Sequence, residues 1–315
     1  MAEEIPVYVI SGFMDSGKTT LVNETLFEQE FGKDTRTLLI ACEDGEEEYD
    51  EDKLKTIQTS LVMIENKEDF TAEKLQSLQD TYHPEQVFIE YNGTWEMSIL
   101  LETKLPEGWV IVQSLATVDA TTYEMYLSNM RTMILEQLFA ADVVIFNRCD
   151  ENTPRGKFRR SVKAQNRKAQ MVYERKDGTI DDTPEELPYD LSQDFLDITD
   201  ADYGIWYLDA MDHPKAYDRK KVRFLALVYH PEKLRGKGMF VPGRFAMTCC
   251  AEDIQFIGFK CKYPKADEIP HKSWIVITAE VRIEWAKEYR GKGPVLYPIK
   301  IEKTTPPPDE LVYFS

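Results

Sequence analysis

The 315-residue sequence has no apolar run approaching the roughly 20 residues that a membrane-spanning helix requires. Its first residues, Met-Ala-Glu-Glu-Ile-Pro, lack the basic and apolar regions of a secretory signal and lead directly into a strand-like run. We therefore expect a cytoplasmic protein without membrane insertion.

Cysteines are few, and acidic residues outnumber basic ones. The chain has five cysteines, an odd number, which favours reduced thiols over a disulfide framework. Lysine and arginine number 38 against 56 aspartates and glutamates, giving a formal net charge of -18. Because nucleic acids bind to positive surfaces, this balance argues against a nucleic-acid partner. It fits solubility alone, or a protein that handles cations.

Apolar residues make up 43% of the chain, and the length favours two domains. The first part alternates strand-like runs with amphipathic segments, which predicts an α/β fold with a mostly parallel sheet covered on both faces. The predicted strands are residues 6–11, 37–41, 61–64, 86–90, 109–118 and 143–147, and the predicted helices are 18–29, 71–80 and 123–139.

The second part of the chain is richer in strand-like segments. Residues 174–202 are polar and acidic without a firm period and predict a linker or surface excursion. Residues 203–315 contain five short strand-like runs, which predict a small β-barrel or sandwich. These runs are residues 222–229, 240–249, 254–261, 274–283 and 295–300. The predicted domains are therefore 1–173 and 203–315.

Residues 12–19, Gly-Phe-Met-Asp-Ser-Gly-Lys-Thr, match the pattern G-x-x-x-x-G-K-[ST] between a predicted strand and a predicted helix. In such a P-loop the backbone N–H groups and the helix N-terminus face phosphates. Lys18 would reach the β- and γ-phosphates, and the Thr19 hydroxyl would bind Mg²⁺. The alternative is a chance glycine-rich turn. The predicted nucleotide contacts of the loop are Gly12, Asp15, Ser16, Gly17, Lys18, Thr19 and Thr20.

Two later segments follow the P-loop in the order expected of a GTPase. Glu90 ends an apolar strand and suits a Walker B carboxylate beside Mg²⁺, the alternative being a surface glutamate. Gly93 follows where a γ-phosphate-sensing loop needs a backbone N–H. Asn147 and Asp150 end another strand as Asn-x-x-Asp, in which the aspartate accepts both guanine N–H donors and the asparagine braces the loop. A structural turn is the alternative.

About the first 150 residues resemble the CobW/UreG/HypB-type GTPases, especially the CobW group that is linked to metal delivery. The resemblance rests on the P-loop and its continuation to Asn23, and on Ala41-Cys-Glu-Asp-Gly-Glu46, which is similar to the usual Asn-Glu-Phe-Gly-Glu. Glu90-Tyr-Asn-Gly93 is similar to Glu-Thr-Ser-Gly. Residues 147–150 are similar to Asn-Lys-x-Asp, with Arg148 in place of the lysine.

The resemblance implies slow hydrolysis of GTP to GDP, with Mg²⁺ as cofactor and Lys18, Thr19 and Glu90 as catalytic residues. It also implies a role in metal homeostasis or cofactor insertion, with a client metalloprotein, a homodimer, and Zn²⁺ or another transition metal. One departure stands against this role. The usual Cys-x-Cys-Cys motif is absent, since residues 62–69 read Val-Met-Ile-Glu-Asn-Lys-Glu-Asp.

Residues 243–253 resemble the C-terminal domain of YcgQ-like permease-associated proteins, and this resemblance covers residues 203–315. It implies a small, OB-like β-barrel and a permease-associated partner. An alternative function is therefore a non-catalytic module that docks on a permease or client under nucleotide control.

Transition-metal contacts are predicted at Glu43, Cys249 and Cys250. Glu43 opens an acidic run that is either a solvated switch loop or a transient cation site. Neighbouring cysteines on a strand face opposite sides, so Cys249 and Cys250 cannot both join one site without a bulge or turn. The alternative for them is packing as reduced core cysteines.

Overall fold

The computed structural model describes residues 4–28, 31, 34–43, 45, 49–183, 187–247 and 254–314. The chain divides into two compact units. One unit is Met1–Arg155 with Gln165–Thr183, and the other is Gly156–Ala164 with Pro184–Ser315. Within the described ranges, no helix combines the length and apolar character needed to cross a membrane.

The first unit is built on a sheet of seven parallel strands. The strands are β1 Ile5–Gly12, β2 Thr37–Ala41, β3 Thr59–Met63, β4 Gln86–Glu90, β5 Trp109–Asp119, β6 Val143–Cys149 and β7 Gln170–Arg175. Their order across the sheet is β3-β2-β4-β1-β5-β6-β7. Every residue of β2 and β4 is buried, as expected for central strands of a parallel sheet with both faces covered. The predicted α/β P-loop NTPase fold is confirmed.

Helices cover both faces of this sheet. They are α1 Lys18–Asn23, α2 Glu51–Thr56, α3 Ala72–Tyr82, α4 Met97–Glu102, α5 Tyr123–Asn129 and α6 Arg131–Phe139. Val9 and Ile40 pack into one apolar cluster, and their neighbours Ile10 and Leu39 pack into another. Alternate residues of each strand therefore build separate cores on the two faces of the sheet.

The prediction of one helix over residues 123–139 is wrong. The chain leaves helical geometry at Met130, which has φ -136° and ψ 37°, between α5 and α6. Two polar side chains precede the break and bond to carbonyls one turn earlier: Ser128 Oγ donates to Glu124 O at 2.9 Å, and Asn129 Nδ2 donates to Met125 O at 2.8 Å. Such local bonds compete with helix propagation.

The second unit contains a closed five-stranded β-barrel. The helix α7 Arg155–Gln165 comes first in the chain. The elements after it are β8 Phe195–Asp197, α8 Tyr203–Asp212, β9 Lys221–Tyr229, β10 Met239–Met247, β11 Gln255–Gly258, β12 Lys260–Lys262, β13 Trp274–Ala286, β14 Gly291–Thr304 and β15 Leu311–Tyr313. The ring runs β9-β10-β12-β14-β13 and back to β9. β12 and β14 are parallel, and the other ring pairs are antiparallel. The predicted small barrel is confirmed.

Aromatic side chains fill the barrel core around α8. Trp206 is fully buried, and its ring centroid lies 4.9 Å from that of Phe224 and 5.1 Å from that of Phe259. The predicted strand 254–261 is interrupted at Phe259, between β11 and β12. There the chain moves from pairing with the second half of β10 to pairing with its first residues.

Candidate functional site

The glycine-rich loop joins β1 to α1 and requires glycine at its last turn. Gly17 has φ +90°, and a Cβ atom there would lie 2.8 Å from Asn147 Nδ2. Asn147 Nδ2 also donates to Ser16 O at 2.7 Å. The end of β6 therefore holds the loop in place through a side chain more than a hundred residues away.

The Lys18 ammonium is buried and has three partners. Its side chain is 3% exposed and lies 3.0 Å from Glu43 Oε2. Lys18 Nζ also donates to Gly12 O at 3.1 Å and to Phe13 O at 3.0 Å. A buried ammonium is stable only when paired, and these three acceptors match its three N–H donors.

Glu43 connects the P-loop to the turn after β4. Its Oε2 atom also accepts a hydrogen bond from Gly93 N at 3.0 Å. Gly93 packs directly on the P-loop backbone, since a Cβ atom there would lie 2.4 Å from Gly12 O. Asn92 Nδ2 donates to Cys42 O at 2.9 Å and so fixes the residue before Glu43.

Glu90 ends β4 beside the first turn of α1. Thr19 Oγ1 donates to Glu90 Oε1 at 2.8 Å, and the Tyr49 hydroxyl donates to Glu90 Oε2. Burial raises the pKa of Glu90 above its ordinary value of 4.5, and the two hydroxyl bonds oppose that rise. Mg²⁺ prefers oxygen ligands, so this hydroxyl and carboxylate pair fits a magnesium site.

The loop after β6 faces the P-loop through Arg148. Its guanidinium donates to Asp15 O at 3.0 Å and to the Asp119 carboxylate. Both Arg148 and Asp15 have positive φ, at 55° and 56°, and such strained backbone clusters at functional sites. Burial disfavours ionised Asp119, but bonds from Thr121 and Arg148 outweigh this and lower the pKa of Asp119.

Asp150 is exposed, three residues after Asn147. Its Oδ1 atom accepts from Asn152 N at 2.9 Å and from the Thr153 hydroxyl at 3.3 Å. These local bonds orient the carboxylate without burying it.

Most of the predicted nucleotide contacts share one cleft of about 160 Å³. This volume is below the roughly 300–1,000 Å³ typical of ligand pockets. The cleft is lined by Asp15, Ser16, Gly17, Lys18, Thr19, Thr20, Glu43, Gly45, Glu90 and Arg148. Two further predicted contacts bond to this lining: Gly93 N donates to Glu43, and Asn147 Nδ2 donates to Ser16 O.

Sequence reasoning did not identify Tyr49 or Asp119 as members of the site. Asp119 ends β5, and strand ends at this edge of a parallel sheet are where ligands bind, so its position was a usable signal. Tyr49 follows an acidic run and carries no such signal. Arg148, which stands in place of the usual lysine, contacts Asp119 and the P-loop through its guanidinium.

A metal site built from clustered side chains finds no support in the described part of the chain. No group of three or more His, Cys, Asp or Glu side chains could hold a metal ion among those residues. Cys42 is buried, and burial together with the Glu90 charge raises the pKa of its thiol far above the usual range. Cys249 and Cys250 lie outside the described residues.

A second groove of about 420 Å³ lies at the segment that lacks the Cys-x-Cys-Cys motif, and it is lined by residues 63–66, 68, 69, 71 and 74. Its side chains carry carboxylate, amide, hydroxyl, ammonium and aliphatic groups, and Met63 adds a thioether. This groove offers no thiol for a soft metal ion.

Comparisons with known proteins assign each half of the chain to a domain. Residues 6–173, more than half of the chain, match the CobW/HypB/UreG nucleotide-binding domain. Residues 173–314 match the DUF1980 C-terminal domain. A comparison with curated proteins found no match.

Solved structures of P-loop proteins are distantly similar. The hydrogenase maturation factor HypB from Archaeoglobus fulgidus is 16% identical over 55% of this chain and 81% of its own, with a TM-score of 0.38. The Zn(II)-bound YjiA GTPase from E. coli is 17% identical over 88% of this chain and 94% of its own, with a TM-score of 0.43.

Proposed function

The chain belongs to the CobW/HypB/UreG family and carries a GTPase domain of that type, and from this premise we propose that it binds GTP and hydrolyses it to GDP and phosphate. One observation carries the proposal. The Lys18 ammonium, the Thr19 hydroxyl and the Glu90 carboxylate line the same cleft at the start of α1. These are the groups that phosphoryl transfer in P-loop proteins requires.

In this proposal the chain acts mainly by positioning and by charge. The N–H groups at the start of α1 and the Lys18 ammonium face the phosphates and stabilise the negative charge that develops on them. Lys18 is already desolvated, with its side chain 3% exposed. An ammonium excluded from water interacts more strongly with phosphate oxygens than a solvated one.

Thr19 and Glu90 would hold Mg²⁺, which would neutralise negative charge on the phosphates. The Thr19 hydroxyl would be the direct ligand, and Glu90 would orient it through the 2.8 Å hydrogen bond. Glu90 must be ionised for this role. Because its pKa is raised, we expect its contribution to weaken at acid pH.

Asn147 and Asp150 would select guanine. The Asp150 carboxylate is exposed, as a group that accepts two N–H donors from an incoming base must be. Asn147 braces the P-loop through Ser16 O at 2.7 Å, which ties base recognition to the phosphate site. Adenine does not present the same pair of donors, so we expect GTP and GDP to bind in preference to ATP.

Hydrolysis should be slow in the isolated protein. Arg148 lines the cleft, but its guanidinium is bonded to Asp119 and Asp15 O instead of facing the phosphate end. No residue of the described cleft stands out as positioning the attacking water. Single-turnover hydrolysis should therefore stay below about 1 per second.

For the cellular role we propose a cytoplasmic switch in metal homeostasis or cofactor insertion, acting on a client metalloprotein. Domains 1–173 and 203–315 would be the GTPase and the partner-binding parts, and a homodimer would form around the nucleotide. Glu43, Cys249 and Cys250 stay predictions as contacts for Zn²⁺ or another transition metal.

A second candidate is a nucleotide-gated docking module for a permease-associated partner. It is favoured by residues 62–69, which hold no cysteine where a Cys-x-Cys-Cys motif would lie. Added Zn²⁺ distinguishes the two: a change in GDP affinity supports the metal switch, and indifference supports the docking module.

The proposed GTPase activity is tested by phosphate release from GTP under single-turnover conditions. Lys18→Ala should abolish release, because the buried ammonium supplies charge that no neighbour replaces. Lys53→Ala is the matched control, since that side chain is 72% exposed on α2. Wild-type rates in Lys18→Ala would contradict the proposed site.

A further inference from the structure

We infer that Glu43 selects against the γ-phosphate, so that GTP must displace its carboxylate from the site while GDP need not. The inference rests on the proposed function, because it assumes that this cleft binds guanine nucleotides. It begins from one atom: Glu43 Oε2 lies 3.0 Å from Lys18 Nζ and 3.0 Å from Gly93 N.

Those two donors are the ones that a γ-phosphate oxygen would use. The P-loop lysine contacts the β- and γ-phosphates, and the backbone N–H after the Walker B strand faces the terminal phosphate. A carboxylate oxygen and a phosphate oxygen make the same short, charge-assisted bonds to such donors. Glu43 Oε2 therefore satisfies both donors in the way a γ-phosphate oxygen would.

The donors cannot easily serve both anions. Lys18 has two further bonds, to Gly12 O and Phe13 O, so its third N–H is the one shared with Glu43. Gly93 packs so closely against the P-loop that a Cβ atom there would lie 2.4 Å from Gly12 O. Two anions at this point would also repel each other at short range.

GDP makes a different demand on the site. It lacks the γ-phosphate, so Glu43 can keep its bond to Gly93 N while Lys18 and the P-loop amides contact the β-phosphate. Binding of GTP includes the loss of both Glu43 bonds, whereas binding of GDP leaves the bond to Gly93 N in place. Glu43 thereby lowers GTP affinity relative to GDP affinity.

Tyr49 makes a parallel contact at the magnesium end of the cleft. Its hydroxyl donates to Glu90 Oε2, while Thr19 occupies Oε1. The two described residues, Glu43 and Tyr49, thus contact the groups proposed for the γ-phosphate and for Mg²⁺. We expect Mg²⁺ and the γ-phosphate to displace these two contacts together.

The test compares Glu43→Gln with the wild-type protein in calorimetric titrations of GDP and of guanylyl imidodiphosphate, a non-hydrolysable GTP analogue, at fixed Mg²⁺. Glutamine keeps the size of the side chain and removes the charge that pairs with Lys18. The analogue should bind about tenfold more tightly, and GDP less than threefold more tightly. Asp52→Asn is the control: it removes the same charge from a side chain that is 95% exposed, and neither affinity should change more than twofold.

Equal gains for both nucleotides, or weaker binding of the analogue, would overturn the inference. Glu43→Asp serves if the glutamine variant does not fold: its shorter side chain retracts the carboxylate, and the analogue should again gain more than GDP. Failure of the folded wild-type protein to bind either nucleotide is a separate result. It would overturn the proposed function itself, whereas loss of the selective effect alone leaves that function standing.

Discussion

Replacing Gly93 by alanine should destabilise the N-terminal unit and weaken GTP binding more than GDP binding. The added Cβ atom would lie 2.4 Å from Gly12 O and 2.9 Å from two Phe13 backbone atoms. These are P-loop backbone atoms, which cannot move aside as a flexible side chain would. Overpacking of this kind costs about 1–3 kcal/mol. For a unit of this size, that corresponds to a melting temperature lower by roughly 2–12 °C.

The assay is thermal unfolding followed by circular dichroism, together with titration of GDP and a GTP analogue. Gly291→Ala is the matched control, because the nearest atom to its added Cβ is Tyr289 O at 3.7 Å. The displaced Gly93 N–H would also lose its place opposite the γ-phosphate, so the analogue should lose more affinity than GDP. Wild-type stability together with wild-type affinity in Gly93→Ala would refute this reasoning.

Three further predictions concern single residues. Glu90→Gln should weaken Mg²⁺-dependent nucleotide binding and raise the melting temperature, because burial disfavours the ionised carboxylate and so raises the pKa of Glu90. The gain in melting temperature should be full above that raised pKa and shrink as pH falls towards 4.5. A gain in melting temperature that is independent of pH would contradict this. Asp150→Asn should weaken GDP binding roughly 100-fold by removing a charged acceptor and improve binding of xanthosine diphosphate, which titration of both nucleotides measures. Trp206→Ala should destabilise the barrel by about 3–5 kcal/mol, because the ring is fully buried; an unchanged barrel transition in denaturant melts would show that its packing is dispensable.

The local parts of the site could be predicted because their chemistry is contiguous in sequence. Residues 12–19 define the phosphate loop within eight positions, and the structure places them at the end of β1, in the following turn and at the start of α1. Strands β2 and β4 match their predicted bounds, since fully buried strands have uninterrupted apolar runs with polar flanks.

The contacts between distant segments could not be predicted in this way. Tyr49 reaches Glu90 across 41 positions, and Glu43 reaches Gly93 across 50. Neither pair has a spacing that marks it, because the sheet order and not the sequence distance brings the residues together. The break at Met130 was hidden for a different, local reason. The apolar spacing continues across it, while the polar side chains just before it end the helix.

The barrel was predictable as a class of fold but not as an order of strands. Five apolar runs with turn signals indicate a barrel or a sandwich, and closure between β9 and β10 decides between them. The register of that closure, which places Val241 opposite Tyr229, is not revealed by periodicity alone.

The most direct test of the central claim is a calorimetric titration of GDP and ATP, with Mg²⁺, into the metal-free protein, repeated after one equivalent of Zn²⁺. The account predicts tight binding of GDP and no binding of ATP, because Asp150 and Asn147 recognise guanine. A preference for ATP would contradict the GTPase assignment, whatever the effect of Zn²⁺.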